Sequence, residues 1–223
     1  MIQRARQLMD DARTAISSTE ERIRLHPYVE ALEKRRVGKG KLALFAGQQQ
    51  HIIESDLRSV ELAISRADSR EARDFFGVML GGERAALEAL EAFGKALGLS
   101  PEQLRLAEPI PGAFAYSAYV TWLAAYGTSA EFAGAFLVNL EAWGRNCGRV
   151  SRALQENYGF SVQDVAFFEL FAGEAPGFVE QGLAVVEEGL GKGVAPPLVR
   201  RAARLLQGYE LMFWDTMWDA SRS

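Results

Sequence analysis

The chain runs to 223 residues, 48% of them hydrophobic and 24% charged, with a formal net charge of −4. That length is enough for one domain, 1–223, built on a continuous core, and the acidic balance supplies no positive field to hold nucleic acid or an anionic lipid surface. No apolar run reaches the ~20 residues that a membrane span needs.

Apolar spacing is helical almost throughout, and no period-2 strand pattern stands out. The first predicted helix covers 2–25 and ends at His26-Pro27; Pro27 then opens a short helix to Arg36, since its missing N–H is harmless at a first position. The basic stretch EKRRVGKGK (33–41) reads as a solvated connector. A long helix follows over 41–67. Asp68 or Ser69 caps the next, which reaches about Leu97, and Ser100 caps one or two turns begun by Pro101. EPIPGAF (108–114) reads as a loop, followed by a helix to Tyr126. Thr128 and Glu131 form a capping box at the head of a long helix toward Asn157. Ser161 and Asp164 start another, GEAPGF (173–178) interrupts it, and a further helix reaches Leu190. Pro196 and Pro197 lead into the last, about 197–219. Seven or eight principal helices and no fixed-period repeat predict an all-α bundle whose interior can hold a pocket.

The chemistry-bearing residues are few. Of the two histidines, His51 shares a helix face with Glu54, a spacing that can ligate iron, but no second such pair exists to complete a dinuclear site. His26 stands where an axial haem ligand could stand, yet nothing downstream forms a Gly-rich distal helix, and its place before Pro27 suits a capping role. Cys147, the single cysteine, excludes an internal disulfide and fits a reducing cytoplasm; flanked by Gly144 and Gly148, it reads as a structural thiol in a close helix contact. The N-terminal MIQRARQLMDDAR carries charges in place of an apolar signal core. The GKG triplets at 38–40 and 191–193 read as turns.

The most telling stretch is GYELMFWDTMW (208–218). Glu210 falls on one helical stripe with Phe213, Trp214 and Met217. Facing inward, its carboxyl would be desolvated and raised toward neutrality, as acid–base work requires; facing outward, it would share a polar edge with Gln207. Tyr116 and Tyr119 lie three apart in FAYSAYVTW (114–122), and Asn139 and Trp143 four apart in NLEAW (139–143). Together these side chains could stack on and hydrogen-bond a flat heteroaromatic molecule, or simply pack a core.

HPYVEAL (26–32), GQQQHII (47–53), AYSAYVTWL (115–123), GTSAEFAGAFLVNLEAWGRNCG (127–148) and above all YELMFWD (209–215) make the chain resemble the TenA family. These are thiaminase-II-type thiamin-salvage proteins of the haem-oxygenase-like helical fold, which also includes PqqC. The resemblance covers nearly the whole chain and keeps the order of motifs. It implies a haem-oxygenase-like bundle and hydrolysis of thiamin, or of the aminopyrimidine left when thiamin degrades. Family members use a cysteine nucleophile, an aspartate that grips the pyrimidine, several tyrosines and a C-terminal glutamate that carries protons. Glu210 stands at the glutamate and Tyr116 at one pocket tyrosine. Gln49, after Gln48, stands at the aspartate, and Ile52 at the tyrosine one turn later. Asn139, after Val138, occupies the nucleophile position, Trp143 the tyrosine beyond it, and Phe171 the tyrosine of the following helix. Trp214, on the Glu210 stripe, is expected to line the pocket with them.

Asparagine cannot form the covalent adduct of a cysteine, and glutamine lacks the charge-assisted bond of an aspartate. Diiron oxidases of the same fold carry a Glu-x6-His motif and a His-x3-Asp-x2-His motif. Here these read Glu83…Leu90 and Phe171, Ala175, Phe178, so four of five ligand positions are apolar. The resemblance therefore implies a small heteroaromatic ligand, with Glu210 as acid–base group of a cysteine-independent hydrolase. The alternatives are a non-catalytic ligand-binding or regulatory protein on the same scaffold, or an oxidase-like activity on another substrate. From the residues themselves no cofactor, no metal, no nucleic-acid or membrane partner and a cytoplasmic location are expected, and the resemblance adds a homo-oligomer, dimer or tetramer.

Overall fold

The computed structural model describes residues 2–173 and 176–222, which form eleven helices and no strand. In chain order these are α1 (Gln3–Ala15), α2 (Ser17–Arg24), α3 (Pro27–Glu33), α4 (Lys39–Arg66), α5 (Arg70–Ala96), α6 (Pro101–Arg105), α7 (Pro111–Tyr126), α8 (Ser129–Tyr158), α9 (Ala166–Ala172), α10 (Phe178–Gly191) and α11 (Pro196–Arg222).

Four helices, α3, α5, α6 and α8, start at a side-chain cap. The Ser69 hydroxyl accepts from Ala72 N–H, Ser100 and Gln103 close a capping box, and Thr128 and Glu131 close another. His26 caps α3 through Nδ1, which accepts from Tyr28 N–H at 3.2 Å; Nε2–H is thereby left to donate to Asp215 at 3.0 Å. Both ring nitrogens are engaged, so the ring serves architecture, tying the start of α3 to α11.

Several boundaries differ from the sequence reading; among them, Ser161 and Asp164 bond to each other across a turn, and α9 begins only at Ala166. The first predicted helix breaks at Ile16, just before Ser17 and Ser18, residues that compete with the helical backbone for hydrogen bonds. The second ends at Glu33 and not Arg36. Arg35 takes a left-handed φ of 52°, while Arg36 N–H reaches back to Ala31 C=O and Arg35 N–H to Leu32 C=O. That is a Schellman ending with arginine where glycine usually sits. The stretch read as a loop to residue 114 is helical from Pro111, whose fixed φ suits a first position. Residues 174 and 175, inside the predicted GEAPGF interruption, lie outside the described residues, as does the Ala175 position of the second diiron motif.

α8 is the central element. Every side chain from Ala130 to Asn139 is buried, as a helix surrounded on all sides requires. It packs on α11, α10, α9 and α3, while α4 packs on α5 and α7, and α7 on α11. Two apolar clusters result. One gathers α1, α10 and the start of α8, and the other gathers α3, α9 and the aromatic end of α11; Tyr116 and Leu140 touch both. The interior space lies at that seam.

Candidate functional site

Six helices contribute side chains to the seam. Gln49, Ile52, Ile53 and Asp56 of α4 lie at helical intervals, and so do Phe136, Asn139, Leu140 and Trp143 of α8. α11 gives Glu210 and Phe213, α7 gives Tyr116, α5 gives Glu83 and α9 gives Phe171. These side chains enclose a narrow cavity: about 460 Å³ is free of atoms, counting solvent at its opening, but only about 40 Å³ admits the centre of a water-sized sphere. That is room for about three waters without side-chain movement. Tyr116, Leu140 and Phe171 are half-buried and the rest of the lining is buried.

Glu210 points inward and is 2% exposed. Its Oε2 accepts from Asn139 Nδ2 at 2.7 Å and its Oε1 from the Trp214 indole N–H at 3.0 Å. Asn139 Oδ1 in turn accepts from the Tyr116 hydroxyl at 2.9 Å. Burial pushes the Glu210 carboxyl up to about 8, against the opposing pull of the Trp214 hydrogen bond. At neutral pH the group therefore holds a proton it can donate. No basic side chain lines the cavity.

Asp56 and Glu83 supply two more buried carboxyls. Burial raises Glu83; burial first, and then the charge of Glu83, raises Asp56. Tyr116 is held well above the ordinary phenol range by burial and then by the charges of Asp56, Glu83 and Glu210.

Of the residues singled out in the sequence, Gln49, Ile52, Tyr116, Asn139, Trp143, Phe171 and Glu210 all reach this one cavity. Trp214 does not line it. Fully buried, it stands behind Glu210 among the rings of Tyr28, Phe45 and Trp143 and grips the carboxyl, while Phe213, three residues from Glu210, forms the wall. Tyr119 is also elsewhere, stacked on Trp122 and tilted against Tyr209. Gln48 is a staple: its amide donates to Glu108 C=O and accepts from Ile110 N–H, fixing the turn before α7. His51 donates to Ala107 C=O and Glu54 accepts from Gln50; among the described residues no cluster of three or more metal-capable side chains occurs. Cys147 is wholly buried outside the cavity, its thiol pushed up by burial, so it presents no thiolate to a guest.

The sequence reading missed Asp56 and saw Glu83 only as a remnant of a metal motif. A signal for Asp56 was present: it lies seven residues after Gln49, two turns along the same face. Nothing in sequence alone links Glu83 to that stripe, because α5 meets α4 only through the fold.

A family model described as the TENA/THI-4/PQQC family matches residues 14–220. No curated protein matches the sequence. Among solved structures, a TenA homologue from P. horikoshii OT3 superposes with a TM-score of 0.76 at 17% identity, covering 96% of this chain and 99% of that one. A putative TenA-like thiaminase from Sulfolobus solfataricus gives 0.71 at 12% identity, covering 94% and 95%. A domain of unknown function with a heme oxygenase-like fold from Shewanella denitrificans gives 0.71 at 15% identity, covering 97% and 90%. At such identities the superpositions establish a shared fold.

Proposed function

Because the chain belongs to the TENA/THI-4/PQQC family, we propose that its interior cavity binds a small heteroaromatic molecule of the aminopyrimidine type and hydrolyses it without a cysteine. The observation that carries this reading is the buried Glu210 carboxyl, proton-bearing at neutral pH and fixed from two sides at the edge of an aromatic-walled space. The family and its thiaminase-named neighbour support a thiamin-related ligand. Either guest requires side chains of this narrow cavity to move, and the bare pyrimidine requires less movement than whole thiamin.

In this reading Trp143, Phe171 and Phe213 hold the ring by its faces and edges, and Gln49 orients it by hydrogen bonding. Asn139 cannot attack carbon, so water is the nucleophile. For an aminomethyl-pyrimidine, the water oxygen forms the new C–O bond and the C–N bond breaks with its electron pair going to nitrogen. The Glu210 proton passes to the departing amine, and Glu210 recovers a proton from the attacking water. The products are the hydroxymethyl-pyrimidine and ammonia.

Incubation with the aminomethyl-pyrimidine and with thiamin, followed by mass spectrometry, tests the reading. Product is expected from the pyrimidine, and Glu210→Gln should lower its rate about 10²–10⁴-fold, the usual worth of a general acid. Undiminished turnover by that variant would remove the catalytic assignment. A second reading, a non-catalytic ligand-binding or regulatory protein, draws support from the two hydrogen bonds that hold both Glu210 oxygens; tight binding with no product would favour it. We propose a homo-oligomer as well, on family resemblance and the exposed Trp122 and Tyr126 of α7.

A further inference from the structure

Asp56 is 3% exposed, lines the cavity, and leaves Oδ1 without a hydrogen-bond partner. Glu83 lines the same cavity from α5. Neither acid forms an ion pair among the described residues, and the one charge felt at Asp56 is that of Glu83, another acid. A buried, unpaired carboxyl is destabilising unless something satisfies it. Here two of them line one cavity from two packed helices, α4 and α5, and one acceptor, Asp56 Oδ1, is left open. Resting on the reading that the cavity takes a heteroaromatic guest, we infer that Asp56 and Glu83 form the subsite that grips the amidine-like, N–H-donating edge of the ring. The recognition carboxylate absent at Gln49 is thus supplied two helical turns further along α4, with Glu83 as its partner across the helix interface.

The pairing is chemically apt. Two adjacent carboxyls in a poorly solvated site hold one charge and one proton more easily than two charges. An aminopyrimidine edge offers an amino donor beside a ring-nitrogen acceptor, which a carboxylate and a carboxylic acid can meet together. An oxo-pyrimidine of the same shape presents an acceptor where the amino group was, and sets it against the charge. Discrimination of this kind is large, because a mismatch leaves buried polar groups unpaired.

The test compares binding of an aminopyrimidine and its oxo isostere by titration calorimetry. The wild-type protein should prefer the amino ring at least tenfold. Asp56→Asn should bring the two within about twofold while leaving the oxo ring bound as before, and Glu83→Gln, a second variant in case the first fails to fold, should also narrow the gap. Equal affinity for both rings in the wild type, or a preference that survives in both variants, would overturn the subsite while the guest-binding reading stands. Failure of the wild type to bind either ring would overturn both.

Discussion

At the scale of single residues, Glu210 is held by opposing forces. Two donors favour its charged form, and loss of water disfavours it more strongly, so its carboxyl sits at about 8 in the folded chain against 4.5 when free. The sign of the stability effect follows. Between those values the folded state keeps a proton that the unfolded state has released, so this group's contribution is fully present below 4.5 and is lost as pH rises through about 8. Glu210→Gln mimics the protonated carboxyl and removes that dependence. The variant should match wild type in thermal melts near pH 5 and exceed it near pH 8, by about 2 kcal/mol or more. A Gln variant that gains nothing at alkaline pH would mean that Glu210 is well solvated. Asn139→Ala would strand the Tyr116 hydroxyl and one Glu210 oxygen, at a cost of about 1–3 kcal/mol in a denaturant titration. The inward aim of Glu210 was one of two options in the sequence, because a stripe shared with Phe213 and Met217 fits either face. The neighbours that settle it, Asn139 and Tyr116, lie far away along the chain.

At the scale of helices, starts that carry a side-chain cap were legible, whereas the starts of α2, α7 and α9 and the end of α3 were not. Ser69, Ser100 and Thr128 announce their helices through local side-chain bonds that need no tertiary context. The end of α3 is set by Arg35 in a left-handed conformation, which nothing in an arginine signals. Arg35→Gly should therefore stabilise the protein by about 1 kcal/mol, since glycine meets no Cβ penalty there; a loss of stability would mean that the Arg35 side chain contributes more than its backbone strain removes. The flanking of Cys147 by glycines was read as close packing, and Gly144 bears this out. A Cβ there would come within 2.5 Å of the Phe171 carbonyl oxygen, which is backbone and cannot swing aside. Gly144→Ala should displace α9, cost about 1–3 kcal/mol and, by moving Phe171, weaken guest binding. An unchanged melting temperature would contradict that tight α8–α9 contact.

At the scale of the whole molecule, the haem-oxygenase-like architecture was legible because helical periodicity and motif order extend over nearly the entire chain. The candidate site was legible in part, since residues on α4, α7, α8 and α11 could each be placed on a stripe. Asp56 and Glu83 were not, because an acid on a helix face carries no mark of burial until the opposing helix is in place. No described helix is long and apolar enough to cross a membrane. What the assembled bundle adds is a shared interior, where two apolar clusters meet around three carboxyls and a Tyr116–Asn139–Glu210 chain. The most direct measurement is a crystal structure of the protein soaked with the aminomethyl-pyrimidine. Density for the ring against Trp143 and Phe213, within hydrogen-bond reach of Glu210, is the predicted result. A saturated crystal whose interior stays closed around its own side chains, or whose ring sits on the outer surface, would contradict it.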